Sequence, residues 1–169
     1  NRTLLGGSFS EGGNVVKWAL DNLKLPPIEQ LNSQLEKLQP AKHGINVLPF
    51  IAGERATGWS NSASGVLEGV RISTTPIEIV QAMLESVSYR FAMVADLLLP
   101  GMQLGYQMIA SGGAIQNSPW WLQTMSDVLG VTVGVSAEQQ DTSRGTAVLA
   151  LNALGVWDSL DMHEAHISK

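Results

Sequence analysis

Residues 104–118 read LGYQMIASGGAIQNS, and the parsing of this stretch decides the fold. Residues 103–111 form a run of apolar and aromatic side chains suited to a central strand. Gly112 and Gly113 then permit a tight turn, and Asn117 or Ser118 can cap a helix that Pro119 begins. The product is strand, glycine turn, helix N-terminus. Such a junction aims free backbone N–H groups outward, with the positive end of the helix dipole behind them, which suits a nucleotide phosphate. Two glycines equally serve a sharp turn that binds nothing. The stretch by itself leaves both readings open.

Downstream, the apolar spacing predicts a helix over 119–129, ended by Gly130, and a β-branched strand over 131–135. A polar turn over 139–143 leads to a small-residue helix over 144–154, ended by Gly155. The tail 158–169 is weakly amphipathic; His163 and His166 are three residues apart, but a metal site there would need a third ligand. Upstream lies the longest helix, capped by Ser73, Thr74 or Thr75, with Pro76 in its first turn and Glu78 near a capping-box position. Its stripe is Ile79, Val80, Met83, Leu84, Val87, Phe91, Val94 and Leu98; Glu85, Arg90 and Asp96 are read as lying off it.

Further upstream, residues 3–10 read as a short strand ending in a small-residue turn that Glu11, Gly12 and Gly13 extend. Asn14 is the expected cap of the next helix, and Pro26 and Pro27 separate it from a helix carrying Ile28, Leu31, Leu35 and Leu38. Residues 46–51 make a strand whose internal Pro49 places it at a sheet edge, and 70–72 a further short strand. Between them, 52–69 is a glycine-punctuated loop holding Glu54, Arg55 and Trp59, read either as local packing or as a functional loop. Alternation of helix and strand in the second half predicts an α/β architecture with parallel crossovers, in which ligands sit beyond the carboxyl ends of the strands. Gly6–Gly7 and Gly112–Gly113 both follow strand-like runs and are expected to face one nucleotide from two sides.

Composition removes several classes of function. A chain of 169 residues, 44% hydrophobic, is most simply one domain with one core. Net charge is −5 with no basic patch, which argues against nucleic acid as a partner. The 15% charged fraction leaves room for a large contact with another domain or subunit, a homo-oligomer included. Without cysteine there is no disulfide, thiolate nucleophile or Cys-based metal site. No continuous apolar run spans a membrane and no secretion signal is present, so the cytoplasm is the expected location and no membrane partner is expected. Walker, Rossmann and hydrolase-elbow patterns are missing too. The chain opens on Asn1 rather than Met, and the expectation is a piece of a longer protein.

The order LPFIAGERATGW, GVLEGV, AMLES, ASGGAIQNS resembles the carboxy-terminal domain of the FGGY carbohydrate kinases, which include gluconate, xylulose, ribulose and glycerol kinases. Gly65, Leu67, Gly69, Val70, Glu78, Ile79, Ala82 and Glu85 take the places of that family's second signature, and SFSEGGNVVKW resembles its first nucleotide-side loop. The resemblance runs from about Thr3 to Gly155. It implies a ribonuclease-H-like mixed sheet flanked by helices, of the actin, hexokinase and Hsp70 type, here incomplete at its N-terminus. It implies ATP and Mg²⁺ as cofactors and a small-molecule sugar held mainly by an amino-terminal domain outside residues 1–169. That domain would also carry the catalytic aspartate. None of Asp21, Asp96, Asp127, Asp141, Asp158 or Asp161 has the matching context, so neither a base nor a metal ligand is assigned, and the 169 residues alone are expected to be inactive.

On the same resemblance, Gly112, Gly113 and Ala114 pack near the adenosine and α-phosphate, with Asn117 and Ser118 near the adenine. Gly7, Ser8 and Glu11 approach phosphates or ribose from the other side. Gly53, Glu54, Arg55 and Trp59 match the family's G-E-R loop, as structural or substrate-side residues, and the G-E-R-A-x-G-W form looks more like gluconate, xylulose and related pentose kinases than glycerol kinase. Arg144, Gly145 and Ala147 resemble a helix packing behind the nucleotide. The alternative is a non-catalytic or vestigial nucleotide-binding domain of the actin-like superfamily that acts in protein interaction.

Overall fold

The chain runs α1 (Gly13–Asn22), α2 (Ile28–Leu35), β1 (Asn46–Leu48), β2 (Val66–Glu68), α3 (Pro76–Leu98), β3 (Met108–Ala110), α4 (Gly113–Gln116), α5 (Pro119–Leu129), β4 (Val133–Ser136), α6 (Asp141–Ala153) and β5 (Ile167–Ser168). A computed structural model describes residues 4–102, 105–138 and 140–160, and the backbone of 167–168. Gln139, Asp161, His163 and His166 lie outside the described residues. β1 and β2 form an antiparallel pair with Val47 opposite Leu67. In the second sheet β3 runs parallel to β4, Ile109 opposite Gly134, and β5 is antiparallel to β4. The α4–α5 crossover makes β3 and β4 parallel, as the alternation predicts, and the antiparallel β5 makes the sheet mixed.

α3 organises the core. Thr75 accepts from the Glu78 amide while the Glu78 carboxylate accepts from the Thr75 N–H at 2.7 Å, and Pro76 opens the first turn. Every residue from Val80 to Ser88 is buried, so the middle of α3 is covered on all sides rather than along one stripe, while Tyr89, Met93 and Leu97 further along are exposed. Val15 and Ala19 of α1, Leu31 and Leu35 of α2, and Trp121 and Met125 of α5 pack against Val80, Met83, Leu84 and Val87. Segment 39–47 covers the opposite side. All-round burial obliges each polar side chain there to find a partner. Ser86 donates to Val47 O, Ser88 to Leu84 O, and Trp121 Nε1 donates to Ser88 Oγ at 3.2 Å. Glu85 accepts from Ala41 N, Gln81 Nε2 and His43 Nε2. His43 Nδ1 accepts from Ile45 N, which assigns the ring proton to Nε2.

Glu85 and Arg90 are therefore interior residues, contrary to the sequence reading, whereas Asp96 is exposed. Several boundaries also move. Residues 4–9 form no strand, because no described strand lies alongside to complete a ladder, and Leu4 stays exposed. α1 starts from Gly12 without a side-chain cap; Asn14 instead accepts from Gly12 N. β1 stops at Leu48, before Pro49, which has no N–H to donate. The second strand of the pair is 66–68, not 70–72, because Gly69 turns the chain at φ 85° and no Cβ fits there against Gly44 O. β3 covers only 108–110, with Gly105 at φ 84° before it, and the backbone at 167–168 is strand.

Candidate functional site

Gly112 has φ 106° and ψ 139°, a conformation closed to residues with a Cβ, and it turns the chain directly off β3. The glycine pair opens the one-turn α4, and α5 starts separately. Ser118 caps α5, accepting from Trp121 N and donating to Asn32 Oδ1 at 2.8 Å, while Asn32 Nδ2 donates to Asn117 O at 3.0 Å. The dipole of α5 thus points at Asn117 and Ser118, not at Gly112 and Gly113 as the strand–turn–helix reading expects. What the glycines present is the first amides of α4, which have no intrahelical acceptor.

Two cavities meet at Gly113. One, of about 470 Å³, lies between Gly12–Gly13 and residues 108–115, with Phe91, Trp121 and Met125 as an apolar floor. The other, of about 500 Å³, is polar and bordered by Gln116, Asn117, Ser136 and Gln140. Gln116 Nε2 donates to Ser136 O and Glu138 O, and Asn117 Nδ2 to Gly113 O at 2.7 Å. Both carboxamides are held by their nitrogens, so their oxygens are left to accept from a ligand. Ser136 Oγ donates to Asp141 Oδ1 at 2.8 Å, and Asp141 Oδ2 is buried without a partner among the described residues.

The other predicted site residues gather elsewhere. Gly7 packs on Val94, where an added Cβ would lie 2.7 Å from Cγ1. Ser8 O accepts from Ala56 N, and Ser8 Oγ from Arg55 Nη1 at 3.3 Å. Glu11 is buried and both its oxygens are used, Oε1 by Arg90 Nε and Oε2 by Ser10 N. Gly7, Ser8 and Glu11 therefore lie against the 53–60 loop and do not line the cavities at Gly113. Gly12 and Gly13 face Gly112 and Ala114 instead; a Cβ on Gly13 would come within 2.9 Å of Ala114 Cβ.

In the 53–60 loop, Gly53 has φ 76°, and the Glu54 carboxylate accepts from Arg90 Nη2 at 2.6 Å and from Gly58 N. Glu54 is anchored, while Arg55 and Trp59 are exposed, Trp59 at 67% with φ 54°. Sequence reading missed Asn32, Gln116 and Arg90, and within SFSEGGNVVKW it chose Gly7, Ser8 and Glu11 rather than Gly12 and Gly13 as the contacts. A signal existed for Arg90, which is three residues after Val87 and four before Val94, on the apolar stripe itself. Among the described residues no group of three His, Asp or Glu side chains could hold a metal, and no helix is long and apolar enough to cross a membrane.

Known proteins resemble this chain in sequence and fold. The model of the FGGY family of carbohydrate kinases, C-terminal domain, matches residues 1–154. A glycerol kinase of Natranaerobius thermophilus is 34% identical over 161 residues, 95% of this chain and 32% of that protein. A gluconokinase of Bacillus subtilis is 28% identical over 94% of this chain and 33% of its own length. Among solved structures, ligand-bound xylulose kinase from Lactobacillus acidophilus superposes with a TM-score of 0.80 at 24% identity, over 96% of this chain and 34% of that one. Plasmodium falciparum glycerol kinase with ADP superposes at 0.70 and 28% identity, over 93% and 33%. The chain spans about a third of the length of these relatives. The expected ribonuclease-H-like fold of the actin and hexokinase type is thereby borne out.

Proposed function

Because this chain belongs to the FGGY family of carbohydrate kinases, we propose that it forms the nucleotide side of an ATP-dependent kinase acting on a sugar, sugar acid or polyol. The observation that carries the reading is the pair of glycine walls, Gly12–Gly13 and Gly112–Ala114, meeting beside the polar cavity at Asn117. A wall without side chains lets a phosphate or ribose approach backbone N–H groups directly. The fit extends to the base: the Gln116 and Asn117 oxygens accept, which matches an exocyclic amino group. That the Plasmodium falciparum glycerol kinase was solved with ADP supports the same assignment.

ATP, when bound, supplies the phosphoryl group, and transfer is mainly a matter of positioning and charge stabilisation. The chain's own part is to hold the nucleotide: Gly112, Gly113 and Ala114 by their amides, Asn117 and Gln116 by their oxygens. Asn32 and Ser118 keep that turn in place. Mg²⁺ would arrive with the phosphates, because no carboxylate cluster is built for it among the described residues. The catalytic base and most of the acceptor site belong to the remainder of the parent protein. Trp59, and Arg55 alongside its bond to Ser8 Oγ, are the exposed residues of the loop that would face the acceptor side.

The acceptor class proposed is gluconate- or xylulose-like, from the G-E-R-A-x-G-W form of residues 53–59. The Natranaerobius thermophilus glycerol kinase is 34% identical against 28% for the Bacillus subtilis gluconokinase, so glycerol belongs in the test. ADP release by the full-length parent protein is measured with MgATP and each of gluconate, xylulose, ribulose, ribitol and glycerol. A response to one of them supports the kinase reading and names the acceptor. No response together with no calorimetric ATP binding refutes it and favours a vestigial domain.

A further inference from the structure

Arg90 lies on α3, outside both cavities, and its guanidinium grips both loops discussed above, which also meet directly where Ser8 accepts from Ala56 N and Arg55 Nη1. Its Nε donates to Glu11 Oε1 at 3.3 Å, and its Nη2 donates to Glu54 Oε1 at 2.6 Å and to Ala56 O. The guanidinium stacks over Phe50, with Cζ 5.0 Å from the ring centroid, and Nη1 reaches Met93 Sδ. One planar cation thus ties together α3, the turn before α1 and the 53–60 loop, and its side chain is only 10% exposed. Two carboxylates against one guanidinium leave the buried cluster with an excess negative charge. Removing the cation would strand the fully buried Glu11 carboxylate and leave the half-buried Glu54 with only Gly58 N.

The direction in which this acts follows from the chain. Glu11 immediately precedes Gly12 and Gly13, the wall facing Gly112 and Ala114. Its other oxygen takes the Ser10 amide, and Asn14 closes the same turn by accepting from Gly12 N and donating to Ser10 O. The turn is self-contained, and Arg90 is the side chain of α3 that fixes its carboxylate. On the loop side, Glu54 also accepts from Gly58 N, and a Cβ at Gly58 would collide with the Glu54 carboxylate, so the loop is moulded around the group that Arg90 grips. We propose that Arg90 is a positioning residue that locks the Gly12–Gly13 wall of the nucleotide cavity and the 53–60 loop into one unit, so that the two faces of the site are set together. The proposal rests on the nucleotide reading given above. Lysine cannot replace it: an ammonium is a single point charge, whereas the fork of Arg reaches two carboxylates and a carbonyl at once.

The test uses the full-length parent protein with Arg90→Met, Arg90→Lys, and the triple variant Glu11→Gln/Glu54→Gln/Arg90→Met, which removes the stranded charges if the single change fails to fold. Hydrogen exchange is followed at residues 10–14 and 53–60, and MgADP affinity by calorimetry. Both segments should exchange faster together in every variant. If a tenth of molecules then keep the competent turn, apparent MgADP affinity falls about tenfold, and KM for MgATP rises by a similar factor while KM for the acceptor moves less. Arg90→Lys should restore melting temperature more than it restores affinity. A folded variant with both loops loosened and MgADP affinity unchanged overturns the positioning role while leaving the nucleotide site intact. Loosening of only one segment overturns the coupling. A wild-type parent that binds no MgADP overturns the role together with the reading it rests on.

Discussion

Substituting the glycines that line the cavities separates a binding surface from a mere turn, because the backbone treats the three positions differently. At Gly113 an added Cβ meets nothing nearer than Asn117 Nδ2 at 4.0 Å. Gly113→Val should therefore leave the unliganded fold within about 1 kcal/mol of wild type, glycine being a poor helix residue to begin with. The same side chain would project where the two cavities meet and keep a ligand from the α4 amides. Losing one hydrogen bond to a charged group, worth about 1.5–3 kcal/mol, weakens nucleotide binding by about ten- to 150-fold. Gly13→Val behaves otherwise: its Cβ would lie 2.9 Å from Ala114 Cβ, an overpacking worth about 1–3 kcal/mol of stability. Gly112→Ala forces a Cβ into a backbone conformation that glycine alone readily adopts, φ 106° and ψ 139°, at a cost of about 1–3 kcal/mol. The assays are urea unfolding of the parent protein and calorimetric titration with MgADP. If Gly113→Val binds MgADP like the wild type, the glycines only turn the chain and the site lies elsewhere.

Two further predictions concern the scaffold. Glu85→Ala removes the acceptor of Ala41 N, Gln81 Nε2 and His43 Nε2 inside the core, and should destabilise the protein by about 3–5 kcal/mol in denaturant unfolding; a loss under about 1 kcal/mol would mean that water reaches these donors. The capping box makes stability depend on pH: the Glu78 carboxyl is held below its ordinary value of 4.5 by the Thr75 backbone N–H first and the Thr75 side chain second. A depressed carboxyl pKa stabilises fully above the unfolded value and is lost as pH falls through the folded one. Glu78→Gln should flatten the acid limb of the stability–pH curve below about pH 4.5, and an unchanged limb would contradict the assignment.

How far sequence carries the account depends on whether a feature is local. α3 was legible because Thr75, Pro76 and Glu78 form a start signal within four residues and the apolar stripe follows at once. α5 was legible from Ser118, Pro119 and the left-handed Gly130. β1 was read within 46–51, but its partner β2 was not, since a three-residue strand with every side chain exposed gives no alternation to read. Glu85 looked like a solvent-facing charge because periodicity finds one buried face, and here 39–47 covers another; Arg90 sits on the stripe itself and was passed over for its charge, its partners lying in the distant 53–60 loop. The choice between glycine pairs is also tertiary. Gly6–Gly7 and Gly12–Gly13 read alike, and only the approach of α1 to α4 decides that the second pair faces Ala114. The family signature survived all of this, because it rests on the order of several motifs rather than on any one boundary.

Hydrogen exchange of the full-length parent protein with and without saturating MgADP tests the central claim most directly. The account predicts protection at the amides of residues 12–14 and 112–118, with the β1–β2 pair unaffected. Protection confined to other parts of the chain, or none at either glycine wall, would contradict it.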